Sequence, residues 1–315
     1  SPHDWVSAAV SAVRDVLSTT GDTPCIAGIS VSAQGGSIFA ADRDREPISD
    51  AVSWMDARAS KEADELYREF GEDIYRACGW RLSPLDDASK LLWLRKNDPE
   101  LFERAAYFMT TADFFTGWLC GNSVYDPTSA AITRLFDIGT GKYNDALISR
   151  IGIEKSKFSA VLPCGKSAGT LGANAASAIG LSPGIPVWIG AHDQYCAALG
   201  SGITRPGQLL IATGTACVLF GVTGQAEFSE LHAAPGVFPN ICGSRNEPKY
   251  GVIAALSGIG ASAERYAVLN GRSLSDSDAE AARLLQSNLT SDRAYTPFSP
   301  CEDGRGFLPH TAGTG

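Results

Sequence analysis

Across residues 167–226 the chain carries only two fully charged side chains, Asp193 and Arg205. A stretch this poor in charge must bury most of its surface, because exposed segments are normally edged with Lys, Glu, Asp and Arg. It does not read as a membrane span: its longest uncharged runs, 167–192 and 206–226, are broken throughout by Gly, Pro, Ser, Thr or Asn. It reads instead as alternating buried strands and small-residue helices. Residues 171–179 suit a small-residue helix, 186–190 a strand and 194–199 an Ala-rich helix. Residues 209–212 and 217–221 suit two strands joined at Thr213-Gly214-Thr215. Strands alternating with helices specify the α/β class.

The rest of the chain follows the same alternation. Val6, Val10, Val13 and Leu17 recur at helical spacing over 4–18. Residues 25–32 form a short apolar run suited to a buried strand, with 36–41 as its neighbour and a charged turn at 42–45. Helices are expected over 56–77, over 89–96 closed by Asn97, from Asp98-Pro99 onward, and over 111–120 stopped by Gly121. Later come a strand at 252–256 and helices at 260–269 and 276–287. The chain opens on a helix whose apolar face needs a sheet, and ends where a new element has barely begun at 306–310. It is therefore read as part of a longer protein.

With 315 residues, 44% hydrophobic and 19% charged, the chain has globular composition and a length suited to about two domains. Its net charge of −9 argues against nucleic acid or a membrane surface as partner, since phosphate contacts need clustered Lys and Arg. The eight cysteines include no C-x-x-C pair and there are four histidines, which argues against a metal centre. Scattered cysteines without a signal-peptide pattern read as buried thiols of a cytoplasmic protein.

Three segments carry candidate chemistry. Asp193 directly follows the expected strand 186–190 and opens the Ala-rich helix. Open α/β sheets bind ligands at the carboxyl ends of their strands, and a helix N-terminus complements a carboxylate; the competing reading is a plain helix cap. Thr213-Gly214-Thr215 offers free backbone N–H groups and two hydroxyls between two strands, a nest suited to phosphate, or an ordinary hairpin turn. Ser53-Trp54-Met55-Asp56-Ala57-Arg58 sets an aromatic face beside an acid and a guanidinium. That suits a polyhydroxylated ligand, or a helix cap with a surface ion pair. Gly165-Lys166-Ser167-Ala168-Gly169 fits the nucleophile-elbow pattern of serine hydrolases, but reads as extended loop. Gly139-Thr140-Gly141-Lys142 is P-loop-like but lacks the earlier Gly. Asn288-Leu289-Thr290 is a glycosylation sequon that a cytoplasmic protein would not use.

In order and spacing, these segments resemble the FGGY family of carbohydrate kinases, which includes xylulose, gluconate and glycerol kinases. Ile29-Ser30-Val31-Ser32-Ala33-Gln34-Gly35-Gly36 resembles the family's strand and sugar-facing loop. Trp54-Met55-Asp56-Ala57-Arg58 resembles its Trp-x-Asp-x-Arg segment, and Lys90-Leu91-Leu92-Trp93-Leu94 the core of its first signature. Val124-Tyr125-Asp126-Pro127-Thr128-Ser129-Ala130 is similar to its Thr-Asp-Tyr-Ser-Asn-Ala segment. Gly190-Ala191-His192-Asp193-Gln194 resembles the segment holding its catalytic aspartate, and Pro206-Gly207 with Thr213-Gly214-Thr215 its second phosphate loop.

The resemblance implies two actin-like, ribonuclease-H-like domains around a cleft, both incomplete in this chain. The first, 1–201, would bind the sugar and lack its first strands. The second, 202–315, would begin the ATP-binding domain, with a hinge at Gly200-Ser201-Gly202-Ile203. It implies ATP and Mg²⁺ as cofactors, Asp193 as base, and Thr213, Gly214 and Thr215 on the ATP phosphates. Gln34, Gly35, Gly36, Trp54, Asp56, Arg58 and Gln194 would bind a sugar or polyol, with a xylulose-like ketose the first expectation. The alternative it leaves is a catalytically inert, kinase-like sugar-binding protein, and a homodimer stays open. The family's opening Asp-x-Gly-Thr loop and late Gly-Gly-Gly segment are not in these residues. Gly35-Gly36 stands where xylulose kinases place Met-His, so the pocket is expected to be wider there or filled from elsewhere. Leu85 and Asp87 also depart from the first signature.

Overall fold

Ser1 caps the first helix, α1 (Pro2–Thr19), by accepting the His3 N–H on its side chain, and Pro2 occupies the first turn where no N–H is needed. The computed structural model describes residues 1–20, 25–213, 217–224, 234–237, 250–256, 265, 267–269, 271–286, 298–300 and 307–309. In chain order there follow β1 (Ile29–Ala33), β2 (Ile38–Ala41), α2 (Ser60–Cys78), α3 (Asp87–Asn97), α4 (Pro99–Arg104), β3 (Tyr107–Thr110) and α5 (Thr111–Cys120). Next come β4 (Val124–Tyr125), α6 (Pro127–Ile132), the hairpin strands β5 (Phe136–Asp137) and β6 (Lys142–Tyr143), α7 (Asp145–Ile151), β7 (Ala160–Val161), β8 (Ser167–Thr170) and α8 (Ala173–Ile179). Then come β9 (Pro186–His192), α9 (Asp193–Gly200), β10 (Leu209–Thr213), β11 (Cys217–Thr223), β12 (Ala234–Val237), β13 (Tyr250–Leu256), α10 (Leu274–Gln286), β14 (Phe298–Pro300) and β15 (Phe307–Pro309).

The sheet that positions the site has the order β1-β9-β8, with β1 parallel and β8 antiparallel to β9. Register shifts between Ser30 and Ser32, where β9 presents Gly190. A Cβ on Gly190 would stand 1.9 Å from the Val31 carbonyl oxygen, so the bulged pairing requires glycine there. One face of this sheet packs on α1, α5 and α8 through Leu119, Leu171, Ala175, Val187 and Ile189, with Val10 and Val13 closing over them. A second core joins α2, α3, α4 and α7 through Leu66, Ile74, Leu91, Leu92, Phe102, Leu147 and Ile151.

A second, antiparallel sheet has the order β10-β11-β13-β12. It docks on α9: Ala191, Tyr195 and Ala198 share a core with Phe220, Val222 and Ile253. The Tyr195 ring meets Phe220 edge-on at 4.9 Å between centroids. Among the described residues no helix is long and apolar enough to cross a membrane.

Several elements differ from expectation for local reasons. Strand β1 begins only at Ile29, and its expected neighbour β2 pairs antiparallel with β3 instead. The chain turns away between them at Gly36, whose φ is +75°. Helix α2 starts at Ser60 rather than 56, because Asp56 Oδ1 takes the Arg58 N–H at 3.0 Å and holds a turn in competition with helix. The G-x-S-x-G serine, Ser167, opens a strand, so there is no strand–turn–helix elbow. The P-loop-like Gly139-Thr140 is a hairpin turn in which Asp137 Oδ1 accepts both backbone N–H groups. Of the helix expected over 260–269, residues 265 and 267–269 are described and helical, and the rest, like Asn288, lies outside the described residues.

Candidate active site at the end of strand β9

Strand β9 delivers His192 to its carboxyl end, where it caps α9, and Asp193 is that helix's first residue. Asp193 is therefore not the cap. Its side chain is 45% exposed, while His192 is buried. The carboxyl end of β1 lies alongside, with Ala33 paired to His192, so the loop beginning at Gln34 starts beside the Asp193 carboxylate.

That loop approaches its neighbours as only glycine can. A Cβ on Gly35 would lie 2.7 Å from Ile132 Cδ1 and 3.3 Å from His192 Cδ2. A Cβ on Gly36, already left-handed, would lie 3.2 Å from Trp54 Cβ. The space left by the small pair at 35 is thus filled from elsewhere, by Ile132 of α6 and by His192. Ser37 Oγ ties the loop to the Trp54 segment, accepting the Trp54 N–H at 3.1 Å and the Gln34 side-chain amide at 3.2 Å.

Lys90 is the central tie. Its ammonium is buried and donates to three carbonyls, Gly36 at 2.7 Å, Ser53 at 2.8 Å and Leu85 at 2.6 Å. One side chain therefore holds together the loops bearing Gly36, Trp54 and Leu85, at a cost: burial lowers its pKa. Asp56 and Arg58 form a forked ion pair, with Nε–Oδ1 at 2.9 Å and Nη2–Oδ2 at 2.6 Å, and the guanidinium lies 5.0 Å from the Trp93 ring centre. Hydrogen bonding from Arg58 holds the Asp56 carboxyl below its usual range. This pair presents an oriented charged rim beside the exposed Trp54 face.

The buried groups behind Asp193 escaped sequence reasoning. Asp126 caps α6, accepting from the Thr128 and Ser129 N–H groups at 2.8 and 3.0 Å and from both hydroxyls. Thr128 Oγ1 in turn accepts the His192 N–H at 2.9 Å. His192 Nε2 stands 3.1 Å from Asp193 Oδ1. The adjacency of His192 to Asp193 and the Asp-Pro-Thr-Ser cap were the available signals. Asp87, a departure from the first signature, is fully buried with neither carboxylate oxygen hydrogen-bonded, and burial pushes its pKa up to about 7.

The expected phosphate loop is framed but not itself described. Thr213 ends β10 and pairs with Cys217 of β11, while Gly214 and Thr215 lie outside the described residues. Its sheet rests on α9 through Tyr195 and Phe220, two residues beyond Asp193 on the helix. Gln194 lies between them, its buried Oε1 without a hydrogen-bond partner among the described residues. The structure thus groups Gln34, Gly36 and Trp54 through Ser37 and Lys90, with the Asp56–Arg58 pair following Trp54 in the chain, and brings Gly35 against His192 beside Asp193. Among the described residues no group of three or more His, Cys, Asp or Glu side chains is arranged to hold a metal ion.

Comparison with known proteins gives a consistent result. The profile for the N-terminal domain of the FGGY family of carbohydrate kinases matches residues 1–200. A xylulose kinase of Bacillus subtilis (strain 168) is 26% identical over 228 residues, covering 72% of this chain and 46% of that protein. An autoinducer-2 kinase of Escherichia coli (strain SMS-3-5 / SECEC) is 31% identical over 212 residues, 66% of this chain and 40% of that protein. The crystal structure of a xylulose kinase from Rhodospirillum rubrum superposes with a TM-score of 0.79 at 23% identity, covering 85% of this chain and 54% of that one. The chain spans about half the length of the curated relatives it matches.

Proposed function

The chain belongs to the FGGY family of carbohydrate kinases and has its actin-like α/β fold; on that premise we propose that it takes part in ATP-dependent phosphorylation of a sugar hydroxyl. The observation that carries this reading is the half-exposed Asp193 at the carboxyl end of β9. It follows strand β9, whose neighbour β1 leads into the Gln34–Gly35–Gly36 loop, and opens helix α9, on which the sheet containing β10 packs.

Asp193 acts as general base, taking the proton from the attacking hydroxyl. Gln34, Gly35, Gly36, Trp54, Asp56, Arg58 and Gln194 hold the sugar: Trp54 covers its C–H faces and the Asp56–Arg58 pair meets its hydroxyls. Thr213, Gly214 and Thr215 hold the ATP phosphates. Phosphoryl transfer asks for positioning and charge neutralisation more than covalent chemistry, which fits a half-exposed carboxylate at the head of a helix. Mg²⁺ carried on the nucleotide phosphates would supply charge neutralisation there.

The substrate is a ketose of the xylulose type, with a sugar acid or polyol as neighbouring possibilities. The family match ends at residue 200, which supports a boundary at 201 between a sugar-binding and an ATP-binding unit. A cytoplasmic location agrees with the free thiols of Cys25, Cys78, Cys120, Cys164 and Cys196, although among these Cys78 alone is buried as expected, Cys120, Cys164 and Cys196 being half-buried and Cys25 exposed. The test is ADP release by the complete protein against pentuloses, hexuloses, aldonic acids and polyols. Sugar-dependent release supports the reading. Sugar binding without release from any of them favours a binding-only descendant.

A further inference from the structure

We propose that His192 is a positioning residue for Asp193, fixing one carboxylate oxygen so that the other is presented to the substrate hydroxyl. The inference rests on reading Asp193 as the base. His192 Nε2 lies 3.1 Å from Asp193 Oδ1. That oxygen is buried and makes no hydrogen bond among the described residues, so the imidazole nitrogen 3.1 Å away is the group placed to take it up, yet the side chain as a whole is 45% exposed. The exposure therefore belongs to the Oδ2 side, and the two oxygens have different environments: one walled in against the imidazole, one open to the site.

The imidazole is held for this task from several directions. Its backbone N–H is fixed by Thr128 Oγ1, which is itself bonded to Asp126. The edge-on Tyr195 ring lies 6.3 Å away between centroids. Gly35 leaves the room the ring occupies, since a Cβ there would press on Cδ2 at 3.3 Å. Among the described residues Nδ1 is buried with no hydrogen-bond partner, while Nε2 faces the Asp193 carboxylate at 3.1 Å. A neutral imidazole carries one N–H, and facing a carboxylate it must be on Nε2. Burial lowers the His192 pKa and so favours that neutral form, against the opposing pull of Asp193 beside it and Asp126 at the head of α6. Cys164, near Asp126, and Tyr195 and Cys196 on α9 are the other titratable groups nearby; burial pushes all three up and keeps them uncharged.

The test uses the complete protein and two readouts. In ¹⁵N NMR, the His192 signals, identified by their loss in His192→Leu, should report a neutral ring protonated on Nε2 at pH 7, and Asp193→Asn should shift them. A ring protonated on Nδ1, charged at pH 7, or indifferent to Asp193→Asn overturns the proposal, whether or not the protein turns over sugar. In steady-state kinetics, His192→Leu should lower kcat about 10–100-fold with the KM values for sugar and ATP nearly unchanged and the melting temperature preserved. His192→Gln, which keeps a side-chain N–H, should recover much of the loss. A full kcat in His192→Leu while Asp193→Asn is inactive removes the role of His192 and leaves the kinase reading standing. Full turnover in Asp193→Asn removes the base assignment itself.

Discussion

The Lys90 ammonium donates to the Gly36 carbonyl oxygen at 2.7 Å, across fifty-four positions of sequence. The same nitrogen takes the Ser53 and Leu85 carbonyls. The Gln34–Gly36 loop and the tryptophan segment are thus pinned by one buried charge.

Replacing Lys90 with Met keeps the stem and removes the three donors. One buried and two part-buried carbonyls lose a charged partner, and stability should fall by about 2–4 kcal/mol. The sugar KM should rise more than that for ATP, because the loops it ties carry the proposed sugar contacts. Lys90→Arg should not restore either, since a planar fork cannot address three convergent carbonyls. Chemical denaturation and steady-state kinetics on the same variants read both effects.

Asp87 makes stability depend on pH in the direction opposite to a salt-bridged acid. Burial raises its pKa from 3.8 to about 7, so between these values the folded chain holds a proton that the unfolded chain has released. Its contribution is intact below about pH 4 and is lost as pH rises through 7, by of order 2–4 kcal/mol. Asp87→Asn should therefore raise the midpoint of unfolding at pH 8 and change it little at pH 4. Equal effects at both pH values would show that Asp87 is already ionised in the folded protein.

Gly35 and Ile132 should behave as a coupled pair. Gly35→Ala places a methyl 2.7 Å from Ile132 Cδ1, and such overpacking costs about 1–3 kcal/mol. Ile132→Ala in the same chain should relieve it, giving a coupling energy of about 0.5–3 kcal/mol in a double-mutant cycle. Additive losses would mean that Gly35 is constrained by something other than Ile132.

Much of the fold was legible because strong local signals agreed with tertiary context. The Asp98-Pro99 start of α4, the Gly121 stop of α5 and the low-charge β9–α9 unit all appear where the sequence puts them. Periodicity does not encode which strands pair, so β2 was assigned to β1 when it pairs with β3. The site was legible where residues are unusual, as at Asp193 and Gly35-Gly36. It was illegible where a residue acts over long range. Lys90 reads as part of a helix and of the first-signature core, and nothing local says that its ammonium turns inward to three carbonyls from separate loops. Asp126 and Thr128 read as part of a family-like segment, and their reach to His192 depends on β9 arriving beside them.

Closure should occur at Gly200-Ser201-Gly202-Ile203. Gly202 takes a left-handed φ of +75°, and a Cβ at Gly200 or Gly202 would meet nothing within 4 Å, so the segment has room to rotate. Saturating sugar with a non-hydrolysable ATP analogue should shrink the radius of gyration of the complete protein in solution scattering. An unchanged profile counts against a hinge there.

The most direct measurement is turnover of Asp193→Asn in the complete protein, followed by sugar-dependent ADP release. The amide keeps the size of the side chain and its place at the head of α9 but cannot accept the hydroxyl proton. Turnover should fall by about 10²–10⁴-fold with the fold and ATP binding retained. Near-normal turnover in a folded Asp193→Asn protein would contradict the assignment of Asp193 as the base.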